Sequence, residues 1–196
     1  ISLSFKRMII GTHSGSFHCD EALACFMIRN TEKFANSTIL RTRDEKVLET
    51  CDIVVDVGGV FDLKANRFDH HQKEFNETFD DESQIKLSSA GLIYKYFGKE
   101  VIKNLSGCDD ENLDLLYRKT YSGFVKAIDA IDNGIDPVKT NEKPLYKIST
   151  DLSSRVGYLN PKWNEDYSEK IQMKRFEKAM ELVGKEFKES IKFLKD

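Results

Sequence analysis

Apolar positions in the N-terminal third fall in short runs, and the runs predict strands separated by helices. Lys6 to Thr12 (KRMIIGT) has an apolar centre and Ser37 to Thr42 (STILRT) suits a second strand. Asp52 to Val57 (DIVVDV) is a β-branched run closed by Gly58-Gly59, the pattern of a central parallel strand buried on both faces. Between the first two, residues 20–29 form a helix with almost no polar face, so it must be deeply buried. Asp20 and Glu21 open it, where the helix dipole favours acids. Glu45 to Thr50 suits a short helix. Strand, helix, strand, helix, strand predicts an α/β fold: an open, mainly parallel twisted sheet with helices on both faces.

Beyond residue 85 the period changes. Leu87 to Phe97 reads as a helix opened by Ser88 and Ser89. Leu113, Leu116, Tyr117, Tyr121, Phe124, Ile128 and Ile131 recur at steps of three and four, which predicts one long amphipathic helix stopped by Asn133-Gly134. Pro137 to Pro161 reads as loops with one short strand over LYKIST, residues 145–150. Ile171, Phe176, Met180, Val183, Phe187, Ile191 and Leu194 then run at near-heptad spacing in a terminal helix. That stripe suits packing on its own domain, self-association or pairing with a partner, or passage into a further domain.

Composition narrows the class. With 196 residues, 40% hydrophobic and 32% charged, the chain can fill the core of one large domain, which excludes a disordered chain. No apolar run approaches the ~20 residues of a membrane-spanning helix. A net charge of −3 excludes retention on nucleic acid by overall basicity. Cys19, Cys25, Cys51 and Cys108 form no C-x-x-C pair and read as reduced, intracellular thiols.

All four histidines lie in two places: His13 and His18 in GTHSGSFHCDEA, and His70 and His71 in RFDHHQK. Asp20, Glu21 and Asp69 stand beside them, and imidazole with carboxylate is the donor set of a transition-metal site. His13 follows the first strand and Asp56 ends the third, so parallel strands would bring both to the edge where α/β sheets keep their crevice. An acid within IVVDVGG is costly unless it braces a loop, is paired or meets a cation. Asp129 and Asp132 lie in the last turn of the long helix, the wrong end of the dipole for negative charge. Asp132 shares the inward side with Ile128, and a metal or a buried Arg would compensate it. Ser88 and Ser89 can cap their helix or hold a phosphate. DLSSRVGYLNPKWNED gathers Arg155, Asn160, Lys162 and Trp163 as a substrate-facing loop or a packed surface turn.

His13, the HisCysAsp step at 18–20, Asp56 in VVDVGG, the AspHisHis triplet at 69–71 and Asp132 resemble, in that order, the pattern of the DHH phosphoesterase superfamily. GTHSGSFHCDEALAC, RTRD, CDIVVDVGG, FDHHQKEFNETF, KLSSAGLIY, DAIDNGI and DLSSRVGYLNPKWNE are similar, over nearly the whole chain, to the Myg exonuclease-like (melanocyte proliferating gene) family. The resemblance implies a DHH-type catalytic domain over residues 1–165. It makes 166–196 a linker helix leading to a C-terminal domain outside this chain.

It also implies a manganese-dependent phosphodiesterase acting as a 3′-to-5′ exonuclease on RNA, in mitochondrion or nucleus. His13 and His18 would hold one cation, Asp20, His70 and Asp132 the other, and Asp56 would bridge them. His71 would protonate the leaving oxygen, Asp69 would orient the imidazoles, and Arg43, Lys73, Ser88 and Ser89 would grip phosphates. His18, where many relatives in the superfamily have Asp, enriches the site in nitrogen and favours Mn²⁺, Co²⁺ or Zn²⁺ over Mg²⁺. Two other readings stand beside this one: a hydrolase of small nucleotides or pyrophosphate, which the acidic charge suits, and a non-catalytic metal-binding module that recruits a partner.

Overall fold

The computed structural model describes residues 7–138, 145–165 and 167–195. Lys6 of the expected first strand, Pro144, and residue 166 at the expected start of the linker helix lie outside the described residues. Among the described residues five strands form one sheet: β1 (Ile9–Thr12), β2 (Thr38–Arg41), β3 (Ile53–Val55), β4 (Phe61–Asp62) and β5 (Arg67–Phe68). Their order is β2-β1-β3-β5-β4, with every neighbouring pair parallel except β4 with β5. The first three strands fall where the apolar runs predict them. The last two are only two residues long, too short for a hydrophobic pattern to mark.

Strand order reverses beside β1, which has β2 on one side and β3 on the other. That is the switch point at which α/β sheets open a crevice beyond the carboxyl ends of their strands. β5 then joins β3 in parallel, Val55 opposite Phe68, so the residues just after Phe68 emerge at the same edge.

Alternation along the strands divides the core. Ile10, Ile53, Val55 and Phe68 face the main core, whereas Ile9, Leu40, Val54 and Val57 face the other side with Leu48 and Cys51. The main face is covered by α1 (Cys19–Arg29), α3 (Ser89–Ser106), α5 (Lys126–Asp132) and α7 (Glu169–Lys195). Among the described residues the opposite face carries α2 (Glu45–Leu48) alone. Gly11 makes that side close-packed, since a Cβ there would lie 2.9 Å from Cys51 Sγ and 3.2 Å from Leu48 Cδ2. α1 packs against both α3 and α7, which is why its sequence has almost no polar face.

Two expectations change. The long helix is not uniform: α4 (Asp110–Thr120) passes through a π-helical turn (Tyr121–Val125) into α5. Stepping by three and four residues cannot reveal one wide turn. LYKIST forms no strand in its described residues; Leu145 is fully exposed and Ile148 is exposed too. Instead α6 (Leu152–Gly157) follows, its first turn capped by Asp151 accepting the Ser154 N–H at 3.0 Å. The stripe of α7 is buried on its own domain through Phe176, Val183, Phe187 and Ile191. All four cysteines are free and buried. Among the described residues no helix is long and apolar enough to cross a membrane.

Candidate metal centre

The carboxyl ends of β1, β3 and β5, the first turn of α1 and the last turn of α5 converge on one cavity of about 510 Å³. Asp56 stands just past β3 with φ 58°, a left-handed backbone that non-glycine residues adopt at a cost of ~1–3 kcal/mol and that concentrates at functional sites. The bend turns its carboxylate between two imidazoles. Oδ2 lies 3.3 Å from His13 Nε2, and Oδ1 lies 3.3 Å from His70 Nε2. Glu21 Oε1 is 3.0 Å from the same His13 nitrogen, while both Glu21 oxygens accept the His18 N–H at 2.9 Å. On the far side, His70 Nε2 is 3.2 Å from Asp132 Oδ2 and 4.0 Å from Asp20 Oδ2.

Among the described residues three donor sets result, each with its ligand atoms within 4.8 Å of one another: His13, His18, Glu21 and Asp56; Asp56, His70 and His71; and His18, Asp20 and Asp132. Asp56 belongs to two of them. Asp69 belongs to none and instead orders the triplet. Its Oδ1 lies 2.6 Å from His71 Nδ1 and accepts the His70 and His71 N–H groups at 2.8 and 3.2 Å. Its Oδ2 accepts the Gly59 N–H at 2.6 Å. With Nδ1 held there, His71 is left with Nε2 for other chemistry, and its side chain is 62% exposed.

The donors fit a cation. Asp20 is fully buried, and neither of its oxygens has a hydrogen-bond partner. Burial pushes the Asp20 carboxyl well above its usual range, and Asp56, Asp132 and Glu21 repel its charge further. A buried, unpartnered carboxylate among three others is an arrangement that a divalent ion relieves and a neutral core does not.

Without a cation, protons must supply that charge. Burial opposes ionisation of His13, but hydrogen bonds to Asp56 and Glu21 outweigh it and raise its pKa to about 10. His70, opposed by burial in the same way, is raised to about 9 by Asp132 and Asp56. Both values exceed the unfolded pKa of about 6.5, so their stabilising effect is complete below that pH and is lost as pH rises through the folded values. Chelator-treated protein should therefore unfold at steadily lower urea concentration from about pH 7 to pH 10. A midpoint that stays constant across that window would contradict the charge state assigned to the two imidazoles.

Other expected residues divide. Arg43 lines the cavity, its Nη2 3.2 Å from His13 Nδ1. Lys73 is exposed and does not line the cavity. Ser88 and Ser89 are fully buried with their hydroxyls directed at Asp129 and Asp56, which leaves those hydroxyls no hydrogen for a phosphate. The Ser88 side chain does not cap its helix either. Arg155 pairs with Glu186, its Nη2 2.9 Å from Oε2, while Asn160 clamps Phe17 by giving Nδ2–H to its carbonyl (2.8 Å) and taking its N–H (2.9 Å). That clamp steadies the loop between His13 and His18. Trp163 is 97% exposed and so is not part of a packed turn.

Glu21 and Asp129 are acids that the sequence marks by position but to which it assigns no role in the site. Glu21 had a signal, since it sits three residues after the helix cap, where an acid normally reaches back to the chain. Asp129 had only its place one turn before Asp132.

A family model named MYG1_exonuc, described as Uncharacterised protein family (UPF0160), matches residues 9–196. The "MYG1 protein" of Dictyostelium discoideum is 48% identical over 180 residues, 92% of this chain and 55% of that protein. The "MYG1 exonuclease" of Homo sapiens is 46% identical over 191 residues, 94% of this chain and 50% of that protein. The "MYG1 exonuclease" of Mus musculus is likewise 46% identical over 191 residues, with the same coverage of 94% and 50%. The chain spans about half the length of the curated relatives it matches. No solved structure matches it.

Proposed function

The chain belongs to the MYG1 exonuclease family, uncharacterised protein family UPF0160, and from that premise we propose that it is a DHH-type, metal-dependent phosphodiesterase that shortens RNA from its 3′ end. One observation carries the reading: a single carboxylate, Asp56, belongs to two adjoining donor sets at the open edge of the sheet. The names of the human and mouse relatives, "MYG1 exonuclease", support the exonuclease part of this reading. His13, His18 and Asp56 would hold one cation, with Glu21 beside them, and Asp20, His70 and Asp132 would hold a second with Asp56 between. Two such cations would supply a nucleophile at neutral pH and neutralise charge on an in-line displacement at phosphorus. Three imidazole donors, His13, His18 and His70, favour Mn²⁺ over Mg²⁺.

The chain's own residues have the remaining tasks. His71, backed by Asp69, gives a proton to the leaving oxygen. Arg43, on the cavity wall, pairs with a phosphate oxygen. Phe17, Ile128 and Ile131 form the apolar part of the cavity wall.

The test combines calorimetric titration of chelator-stripped protein with Mn²⁺ and a turnover assay on 5′-labelled single-stranded RNA beside a dinucleotide. Two binding events and a ladder shortening from the 3′ end, abolished by chelator, are expected. Turnover of the dinucleotide alone would favour the small-nucleotide hydrolase, a reading that the net charge of −3 and a cavity with one arginine suit. Binding without hydrolysis of either substrate would overturn the enzyme.

A further inference from the structure

The first residues of α3 touch both halves of the centre. The single hydroxyl hydrogen of Ser89 is shared between two acceptors, Asp56 Oδ1 and the Phe68 carbonyl, with Oγ 3.1 Å from each. Asp56 Oδ1 is the oxygen that faces His70 and His71, so Ser89 sets the plane in which the shared carboxylate is presented. Ser88 turns the other way. Its hydroxyl donates to Asp129 Oδ1 at 2.7 Å and its N–H to the same oxygen at 3.0 Å. The other oxygen of Asp129 accepts the Tyr121 hydroxyl at 3.0 Å.

Asp129 is fully buried on α5, one turn before Asp132. It meets the positive N-terminal end of α3, which compensates a buried acid there. The approach is close: a side chain at Gly91, in the first turn of α3, would overlap the Asp129 carboxylate. The π-helical turn that precedes α5 begins at Tyr121, whose hydroxyl completes the contact. Wide turns of this kind recur where a helix must place particular side chains.

We propose that Ser88 and Ser89 are positioning residues that brace the two halves of the cation site against one another. Ser89 holds the shared Asp56, and Ser88, through Asp129, holds the turn that carries Asp132. This rests on the cation site proposed above. Outer contacts of this kind usually alter metal affinity by about 10–100-fold. The brace predicts unequal effects. Ser89→Ala weakens both cation-binding events about 10-fold or more, because both use Asp56. Asp129→Ala weakens only the event that uses Asp132 and His70. Asp129→Asn keeps an oxygen for Ser88 and restores that event.

The experiment is calorimetric titration of the chelator-stripped chain with Mn²⁺ for wild type, Ser89→Ala, Asp129→Ala and Asp129→Asn. Electron paramagnetic resonance reads coupling between the ions, and thermal melting reports the fold. If Asp129→Ala does not fold, Ser88→Ala, which removes one donor and little volume, takes its place. A merely structural role would lower the melting temperature of Ser89→Ala without weakening either event, and that of Asp129→Ala without changing the ratio of the two dissociation constants. Wild-type affinities in every variant would overturn the brace and leave the cation site standing. A wild type that binds no Mn²⁺ would overturn the cation site itself and the brace with it.

Discussion

Asp56→Asn is expected to abolish both Mn²⁺-binding events at concentrations that saturate the wild type, a loss of more than about 100-fold in each. Outer contacts to a metal site are already worth about 10–100-fold, and Asp56 is placed as a donor in two sets at once. Asparagine preserves the shape, leaves an oxygen for Ser89 and tolerates the left-handed backbone better than most residues, so φ 58° persists. What changes is charge: the anion that stands 3.3 Å from both His13 and His70 becomes a neutral amide with one acceptor. Calorimetry beside a circular dichroism spectrum separates loss of the site from loss of the fold. Loss of one event with the other intact would show that Asp56 serves a single ion, and the binuclear scheme would fail.

His71→Ala should lower turnover on RNA about 10²–10⁴-fold, the usual worth of a positioned general acid, while both cations stay bound. His71 stands apart from the buried imidazoles, with its side chain 62% exposed and Nδ1 held 2.6 Å from Asp69. The hydrogen bond to Asp69 raises its pKa from the ordinary value, although burial and the neighbouring His70 oppose the shift. The ring thus keeps its proton to higher pH than a free histidine, as a donor to a leaving alkoxide must. A p-nitrophenyl ester, whose leaving group needs no proton, should lose far less rate in the variant. The alkaline limb of the pH–rate profile should also flatten. Equal loss on both substrates, or loss of bound Mn²⁺, would assign His71 to the cation site instead.

How much of this was legible in the sequence varies with the range of the interactions involved. β1, β2, β3 and the buried α1 announce themselves because an apolar run depends on little beyond its own length and neighbours. The histidine clusters are legible for the same reason: imidazoles beside carboxylates declare their chemistry locally. β4 and β5 were not legible, since two residues carry no period and each strand exists only because a neighbour hydrogen-bonds to it. The π-helical turn was hidden within a pattern that fits an unbroken helix equally well. Ser88 and Ser89 looked able to cap a helix or grip a phosphate. The approach of α5 directed one of them to Asp129, and the end of β3 directed the other to Asp56.

The sequence by itself determined which donors this protein owns and their order along the chain, because donor chemistry resides in single side chains. It also determined that His13 and Asp56 follow strands, because strand propensity is local. Tertiary structure alone decided which donors meet. The register that sets Ile10 beside Ile53 and Val55 beside Phe68 brings His13, Asp56 and His70 to one edge. The packing of α5 on α3 adds Asp132. Separations of 3.2–3.3 Å between side chains so far apart along the chain depend on that register and packing, and no local pattern encodes them.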